Sequence, residues 1–233
     1  MNSKKRPLWV SIKRFIRQNI AKPHDKISFL YQLKSGAEIL DVGCGNNSPF
    51  LVKTILPDCV YTGIDIGDYN QTRPNLADHY IVTGPEDFAG QISRFKDCFD
   101  AVISTHNIEH CYEREKTVDA MLDAVRPGGQ LLMTFPCEQS VNFPSRKGTL
   151  NYYDDPTHRD LPPDFNSLIK QIKAKNFAVE VAISSHKPFV FWVIGCLNEW
   201  RSKTNNHTDY STWAFYGFES IIKARKLKAA DTE

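Results

Sequence analysis

The sequence lacks closely spaced cysteines, a long hydrophobic run and a strong charge of either sign. Its six cysteines are scattered, with no C-x-x-C pair, which argues against a zinc site and against a disulfide framework. The longest apolar run, residues 189–197, is too short to span a bilayer. The basic amino-terminus lacks the apolar core of a signal peptide. These absences predict a cytoplasmic protein in a reducing compartment.

Charge and length narrow the class of protein further. The formal net charge is only +2 over 233 residues, so the composition predicts no nucleic-acid partner. Hydrophobic residues make up 41% of the chain and charged residues 24%, which is typical of a globular protein. A chain of this length suits one well-buried domain, and we assign residues 1–233 to it.

Strand and helix signals alternate through much of the chain. Apolar runs predict strands at residues 38–42, 59–66, 80–82, 99–104, 130–135, 178–183 and 218–225. Helices are predicted at residues 49–56, 115–125 and 167–175, with a buried helix at 189–201. This alternation indicates βαβ units and a parallel sheet covered on both faces, with the ligand site at the carboxyl ends of the strands.

Two segments do not follow this alternation. Residues 8–20 place apolar side chains on one helical face and basic ones on the other. We interpret residues 1–33 as a helical cap on the domain; weak contact of residues 8–20 with an anionic membrane surface is the alternative. Residues 136–165 are rich in Pro, Asn, Asp, Tyr and His. Because long loops are often functional, we assign this loop to the substrate.

A glycine-containing turn follows the first predicted strand, and an acidic residue ends the next one. Glycines let the backbone turn sharply and approach a ligand closely. A carboxylate at the end of the second strand can accept hydrogen bonds from both hydroxyls of a ribose. The residues concerned are Asp41, Gly43, Cys44 and Gly45 in the turn, and Asp65 with Ile66 after it.

The same turn distinguishes between nucleotides. A dinucleotide fingerprint would carry a third glycine, where Ser48 stands, and a helix start free for a pyrophosphate. Asp41 precedes the glycines, and its carboxylate would repel a diphosphate but attract an amino group and a sulfonium. The sign of this charge favours S-adenosyl-L-methionine (AdoMet) over NAD.

Over roughly residues 36 to 136 these motifs resemble the class I AdoMet-dependent methyltransferases. Residues 39–45 are similar to the first motif of the family, Asp65 to its ribose-binding acid and Glu86-Asp87-Phe88 to its adenine-binding segment. Residues 99–104 resemble the fourth strand and 126–129 the turn before the fifth. A nicotinamide-binding or cofactor-free α/β domain is the alternative.

The resemblance implies a fold and a cofactor site. The fold is a three-layer α/β sandwich with a mostly parallel, seven-stranded, Rossmann-like sheet whose last strand is antiparallel. The implied AdoMet-binding residues are Asp41, Gly43, Cys44, Gly45, Asp65, Ile66, Glu86, Asp87 and Thr105.

Histidines in two segments are the candidates for chemistry. An alcohol acceptor must lose a proton, and histidine with a pKa near ~6.5 suits that task. We predict His158 or His106 as the general base, with Asp155 as an orienting partner and no metal. Two alternatives stay open: a loop held by turn hydrogen bonds with His158 merely exposed, and a metal held by Asp154, Asp155 and a histidine. The pair Glu109-His110 is interpreted as structural.

The acceptor class follows from what surrounds these histidines. The base-methylating signature Asn/Asp-Pro-Pro-Phe/Tyr is missing after the fourth strand, where residues 104–107 read Ser-Thr-His-Asn. The polar loop suits a hydroxyl of a small molecule or of a sugar or glycan precursor, and the chain loosely resembles small methyltransferases of polysaccharide pathways. A non-catalytic AdoMet-binding protein or a membrane-associated scaffold is the competing hypothesis. The acceptor atom and the oligomeric state stay open.

Overall fold

Seven strands form one sheet in the computed structural model, which describes residues 15–21, 24–68 and 72–228. The strand order is β3-β2-β1-β4-β5-β7-β6, and β7 alone runs antiparallel to its neighbours. In chain order the strands are β1 (Glu38–Val42), β2 (Val60–Asp65), β3 (His79–Val82), β4 (Phe99–Thr105), β5 (Val125–Pro136), β6 (Phe177–Ile183) and β7 (Glu219–Lys226).

Helices cover both faces of this sheet. They are α1 (Lys26–Leu30), α2 (Ser48–Ile55), α3 (Phe88–Ile92), α4 (Arg114–Ala124), α5 (Phe165–Ala174), α6 (Phe189–Asn205) and α7 (Tyr210–Tyr216). Successive strand residues point to opposite faces. Ile39 therefore joins the core formed with α1 and α2, while Leu40 joins the core formed with α3, α4 and α5. The result is the predicted three-layer sandwich with its antiparallel last strand.

Three features differ from the sequence prediction. The turn predicted at residues 126–129 lies within β5, which begins at Val125 and changes register opposite Phe99 and Ala101. Helices α3 and α7 were not predicted, whereas α1 lies within residues 1–33, which the sequence analysis interpreted as helical. The prediction of a buried helix at 189–201 is wrong about burial, because Gly195 is the one buried residue of α6. The hydrophobic pattern predicted the helix correctly, but Phe189, Leu197 and Trp200 are exposed by 74%, 70% and 70%.

The loop 136–165 is held in place by its own side chains and by side chains of α6 and α7. It contains two short 3-10 helices, Glu138–Asn142 and Tyr152–Asp154. The carboxylate of Asp154 accepts hydrogen bonds from the amides of Arg146, Leu150 and Asn151 at 2.8–3.0 Å. Trp213 of α7 donates its indole N–H to the carbonyl of Thr149 at 2.7 Å. The segment without periodicity is thus an ordered loop.

The amino-terminal segment is described from residue 15 onward. Residues 8–14 of the predicted amphipathic helix lie outside the described residues. A π-helical turn, Arg17–Ala21, packs against α6. Phe15 and Ile16 just before this turn are exposed by 62% and 45%, and Ile20 within it is exposed by 51%. Within the described ranges no helix is both long and apolar enough to cross a membrane.

Gly195 lets α6 and α7 pack closely. A Cβ atom at this position would lie 2.3 Å from the carbonyl oxygen of Ser211 and 2.7 Å from Cβ of Phe215. We expect Gly195→Ala to lower the free energy of unfolding by about 1–3 kcal/mol, the usual cost of overpacking. Gly90→Ala in α3 is the control, because a Cβ there meets nothing within 4 Å; it should raise stability by about 0.4–1 kcal/mol. Urea unfolding of both variants measures the two changes in the free energy of unfolding. Equal changes in the two variants would contradict the prediction.

Candidate functional site

A cavity of about 320 Å³ opens at the carboxyl ends of β1, β2 and β4. Parallel strands bring their carboxyl ends to one edge of a sheet, and ligands of open α/β sheets bind there. The cavity is lined by Gly43, Gly45, Asp65, Ile66, Pro85, Phe88, His106, Asn107, His110, Cys111, Tyr112, Thr157 and Arg159. Of the predicted site residues, the structure therefore brings together Gly43, Gly45, Asp65, Ile66 and His106.

The two glycines of the turn after β1 serve different purposes. Both have left-handed backbones, with φ of +70° at Gly43 and +54° at Gly45. A Cβ atom at Gly43 would lie 2.2 Å from the side chain of Asn107, so this glycine admits a neighbouring residue. A Cβ atom at Gly45 would meet nothing within 4 Å, so it would project into open space. Gly45 therefore lines room that a ligand can fill.

Asp65 ends β2 beside this open space. Its Oδ2 accepts a hydrogen bond from the amide of Gly45 at 2.7 Å, and its Oδ1 accepts one from the amide of Ile66 at 2.8 Å. Burial raises the pKa of Asp65, and the two amides act against that shift. Each carboxylate oxygen keeps a second lone pair for a ribose hydroxyl. Gly45 and Asp65 together fit the ribose end of AdoMet.

Asp41 lies beneath the turn in a closed polar network. Its fully buried carboxylate pairs with Nζ of Lys26 at 2.7 Å and accepts hydrogen bonds from the hydroxyls of Ser48, at 2.5 Å, and Tyr61, at 2.7 Å. Lys26 therefore neutralises the charge that we expected to attract the positive groups of the cofactor. Ser48, which the sequence analysis treated as a missing glycine, positions this carboxylate.

Other predicted cofactor residues lie around the cavity rather than on its wall. Cys44 is buried, and its Sγ lies 3.0 Å from the position of a Cβ at Gly63. Glu86 and Asp87 are exposed, while the flanking residues Pro85 and Phe88 line the cavity. Thr105 is half-buried at the end of β4. Contact with the cofactor stays a prediction for Asp41, Cys44, Glu86, Asp87 and Thr105. It also stays a prediction for Gly43, Gly45, Asp65 and Ile66, although these four line the cavity.

His106 lies between two carboxylates at the cavity edge. Its Nδ1 is 3.3 Å from Oε1 of Glu109, and its Nε2 is 3.2 Å from Oε1 of Glu219 at the start of β7. Burial acts to lower the pKa of His106, but the two carboxylates outweigh it and raise the pKa to about 10. The same contacts, with His186, lower the pKa of Glu219 to about 2 against the effect of its burial. His106 is thus a cation at neutral pH.

This ion pair makes stability depend on pH. The contribution of His106 is fully present below its ordinary pKa of 6.5 and is lost as the pH rises toward about 10. The contribution of Glu219 is present above its ordinary pKa of 4.5 and is lost as the pH falls toward about 2. We expect the stability difference between wild type and His106→Gln to be largest between these ordinary values and to shrink on both sides. Urea unfolding at a series of pH values measures this difference, with His79→Gln as the control variant. A difference between wild type and His106→Gln that does not change with pH would contradict the prediction.

His110 and His158 form a second histidine group, in which one nitrogen of each ring makes no hydrogen bond to the part of the chain that the structure describes. Their ring centroids lie 4.8 Å apart. Nδ1 of His158 donates to the carbonyl of Tyr152 at 2.5 Å. Burial lowers the pKa of His158, and the Tyr152 carbonyl opposes that shift only in part. His158 is therefore neutral near pH 7, with Nε2 as its free acceptor.

The carboxylate of Asp155 reaches this group through Thr157, and the backbone carbonyl of Asp155 accepts a hydrogen bond from the amide of His158 at 3.2 Å. The hydroxyl of Thr157 donates to Oδ1 of Asp155 at 2.6 Å and lies 2.9 Å from Nδ1 of His110. Because its own proton goes to Asp155, the Thr157 oxygen accepts the Nδ1 proton of His110. Nε2 of His110 is then free, and His110 lines the cavity.

The sequence analysis missed the part that His110 and Asn107 play in the cavity. Both follow β4, like His106, and this position was their one signal. Pairing His110 with Thr157 requires two segments that lie 47 positions apart. The rest of the loop side is polar: Arg159 donates to the hydroxyl of Tyr112 at 2.6 Å, and both residues line the cavity.

One group among the described residues also has the composition of a metal site. One ligand atom each from Glu109, His110 and His158 lie within 4.8 Å of one another. Glu109 is fully buried, and its oxygens accept no hydrogen bond from the described residues. Imidazole and carboxylate together suit several divalent metals.

Comparison with known proteins identifies what this chain is similar to. A family model described as "Methyltransferase domain" matches residues 13–181. The 27-O-demethylrifamycin SV methyltransferase of Amycolatopsis mediterranei is 27% identical over 47% of this chain and 42% of its own length. The mitochondrial ubiquinone biosynthesis O-methyltransferase of Rattus norvegicus is 28% identical over 52% of the chain and 36% of its own length. The matched stretch thus spans less than half of each curated relative.

Solved structures share the fold at lower identity. A SAM-dependent methyltransferase from Archaeoglobus fulgidus superimposes with a TM-score of 0.54 and 15% identity, covering 94% of this chain and 100% of that one.

Proposed function

Because the chain belongs to the methyltransferase domain family, we propose that it transfers a methyl group to a hydroxyl of a small polar molecule, with sugars and glycan precursors as the expected class. Its cofactor is AdoMet, which supplies a methyl group already activated on a sulfonium. Gly43, Gly45 and Asp65 hold the cofactor at the carboxyl edge of the sheet. The loop 136–165 supplies the acceptor side of the cavity.

The observation that carries this proposal is the His110–His158 pair: His110 lines the cavity together with Gly43 and Gly45, and the His158 ring packs against it at a centroid distance of 4.8 Å. A hydroxyl must lose its proton as it attacks the methyl carbon, and a neutral imidazole nitrogen suits that role. Both rings have Nδ1 engaged, and Nε2 of each ring makes no hydrogen bond to the described residues. Alignment of the hydroxyl oxygen, methyl carbon and sulfur does much of the remaining work.

We assign proton removal to this pair rather than to His106. A histidine held between Glu109 and Glu219 is already protonated at neutral pH. It has no lone pair to accept a proton. His106 is instead a fixed positive charge at the cavity edge, and its role is to position Glu109 and Glu219.

The nature of the cavity wall supports a polar acceptor. Thr157 and Arg159 come from the loop, and Tyr112 from the segment before α4. They offer hydroxyl and guanidinium groups, which suit a hydroxyl-rich molecule. The rat relative is named as an O-methyltransferase and the Amycolatopsis relative after a 27-O-demethyl compound. Both names support a hydroxyl acceptor, whereas the choice of a sugar rests on the polar loop.

The direct test is a methyl-release assay with labelled AdoMet and a panel of sugars, nucleotide sugars, phenols and amines. NMR of the product should show the methyl group on an oxygen. A product methylated on nitrogen or carbon would overturn the assignment of the acceptor. AdoMet binding by calorimetry, with no turnover on the panel, would favour the non-catalytic AdoMet-binding protein.

We expect the reaction to need no divalent metal. A histidine acceptor and an activated methyl group suffice, so dialysis against EDTA should leave kcat within about twofold. Inductively coupled plasma analysis of the dialysed protein is the control for metal removal. Loss of activity that Mg²⁺ or Zn²⁺ restores would make Glu109, His110 and His158 metal ligands. The two histidines would then not be proton acceptors.

A further inference from the structure

Helix α6 exposes large apolar side chains. Phe189, Leu197 and Trp200 are exposed by 74%, 70% and 70%, and Trp192 by 37%. At 100° per residue, Phe189, Trp192 and Trp200 lie on one face of the helix and Leu197 lies next to them. Gly195 lies on another side, against α7. Apolar residues gathered on one helix face in this way mark an interaction site more often than single exposed ones.

The exposed apolar residues continue on a second helical segment. The turn Arg17–Ala21 packs against α6, and Phe15, Ile16 and Ile20 are exposed around it. We call these three residues, together with Phe189, Trp192, Leu197 and Trp200, the apolar face. With Ile194, which is exposed by 37%, the two adjoining helical elements expose eight large apolar side chains.

The exposed charged residues of α6 are basic. Lys187, Arg201 and Lys203 are exposed on or next to α6. The acidic residue Glu199 is already engaged, since its carboxylate pairs with the buried Arg146 at 2.5 Å and accepts the hydroxyl of Tyr216 at 2.8 Å. Residues 1–14, which lead directly to Phe15, contain five Lys or Arg and no Asp or Glu. An occupant of this face would therefore meet an excess of positive charge.

We propose that the apolar face docks on the surface of an anionic lipid bilayer. Tryptophan rings favour the boundary between headgroups and acyl chains, and lysine and arginine favour anionic headgroups. A second copy of the chain is the less favourable occupant, because it would bring Arg201 and Lys203 close to their own equivalents. The helices lie on the membrane without crossing it.

Docking would also place the acceptor side of the cavity near the bilayer. Arg146 in the loop 136–165 bonds to Glu199 and Ser202 of α6, and Trp213 of α7 bonds to Thr149 of the same loop. The helix that contacts the lipid surface would therefore be hydrogen-bonded directly to this loop.

Vesicle flotation of the full chain tests the proposal. The vesicles are phosphatidylcholine alone and phosphatidylcholine mixed with phosphatidylglycerol. We expect at least about tenfold stronger binding to the anionic vesicles, weakened by salt. The double variant Leu197→Glu/Trp200→Glu should lose about tenfold or more, because it places charge in the apolar layer. Val82→Glu is the matched control: Val82 is 51% exposed on β3, at the opposite edge of the sheet from β6.

Each other outcome overturns the proposal. Equal binding by wild type and the double variant, or no binding to anionic vesicles, would show that the apolar face does not bind the membrane. Equal binding to both kinds of vesicle would show that the basic residues do not contribute to binding. A dimer in light scattering that the double variant abolishes, without vesicle binding, assigns the face to a second copy. Circular dichroism and AdoMet calorimetry show that each variant is folded, and Lys13→Gln/Arg14→Gln should lower anionic binding without altering either readout.

Discussion

Replacing His158 with alanine should lower kcat by about 10²- to 10⁴-fold, the usual loss when a general base is removed. The AdoMet Kd should stay within about twofold, because His158 contacts Tyr152 and His110 rather than Gly45 or Asp65. Single-turnover kinetics and calorimetry measure the two quantities.

The matched control for this variant is His79→Ala, an exposed histidine at the start of β3. It should leave both quantities unchanged. His110→Ala should resemble His158→Ala, since the two rings form one group. Retained turnover in His158→Ala, or a lost AdoMet affinity, would contradict the assignment.

Replacing Asp65 with alanine should weaken AdoMet binding by about 100-fold. Hydrogen bonds to a charged group contribute about 1.5–3 kcal/mol each, and about 1.4 kcal/mol corresponds to a tenfold change in Kd. The variant removes the acceptor for the ribose hydroxyls. It also removes the hydrogen bond that the amide of Gly45 donates to Asp65. Calorimetry with AdoMet and with S-adenosylhomocysteine measures the loss.

Asp58→Ala is the control for Asp65→Ala, because Asp58 is exposed before β2, at the opposite edge of the sheet. Its AdoMet affinity should equal that of the wild type. Thermal unfolding checks that Asp65→Ala is folded. An unchanged Kd in Asp65→Ala would mean that the ribose is bound elsewhere.

Local patterns were enough to predict the sheet but not the elements that surround it. The strands β1, β2, β4 and β5 contribute apolar residues to both core layers, so hydrophobicity alone indicates them. Helix α7 was missed because its sequence is aromatic and short. Its capping signals were nevertheless present: Asp209 accepts hydrogen bonds from the amides of Ser211 and Thr212, and Gly217 ends the helix with φ of +72°.

The candidate site was predictable where the chemistry lies within one short segment. Gly43, Gly45, Asp65 and Ile66 follow two strands and line the cavity as their spacing indicated. His110 and Thr157 become partners only through folding, as do His106 and Glu219, which are 113 positions apart. One sequence carries no signal for such pairs. The exposure of α6 was equally hidden, because hydrophobicity does not say whether another element covers a helix.

The direction of β7 determines which of its residues reach the cavity. Because it alone runs antiparallel, its first residue, Glu219, lies opposite Pro136 at the carboxyl edge of β5 and so meets His106. The same reversal brings Arg225 opposite Gln130, so the strand leaves the sheet at the edge remote from the cavity. A purification tag or fluorescent fusion joined after Lys228, the last described residue, would start from that remote edge. Surface immobilisation by this end should leave the cavity open to acceptor and cofactor.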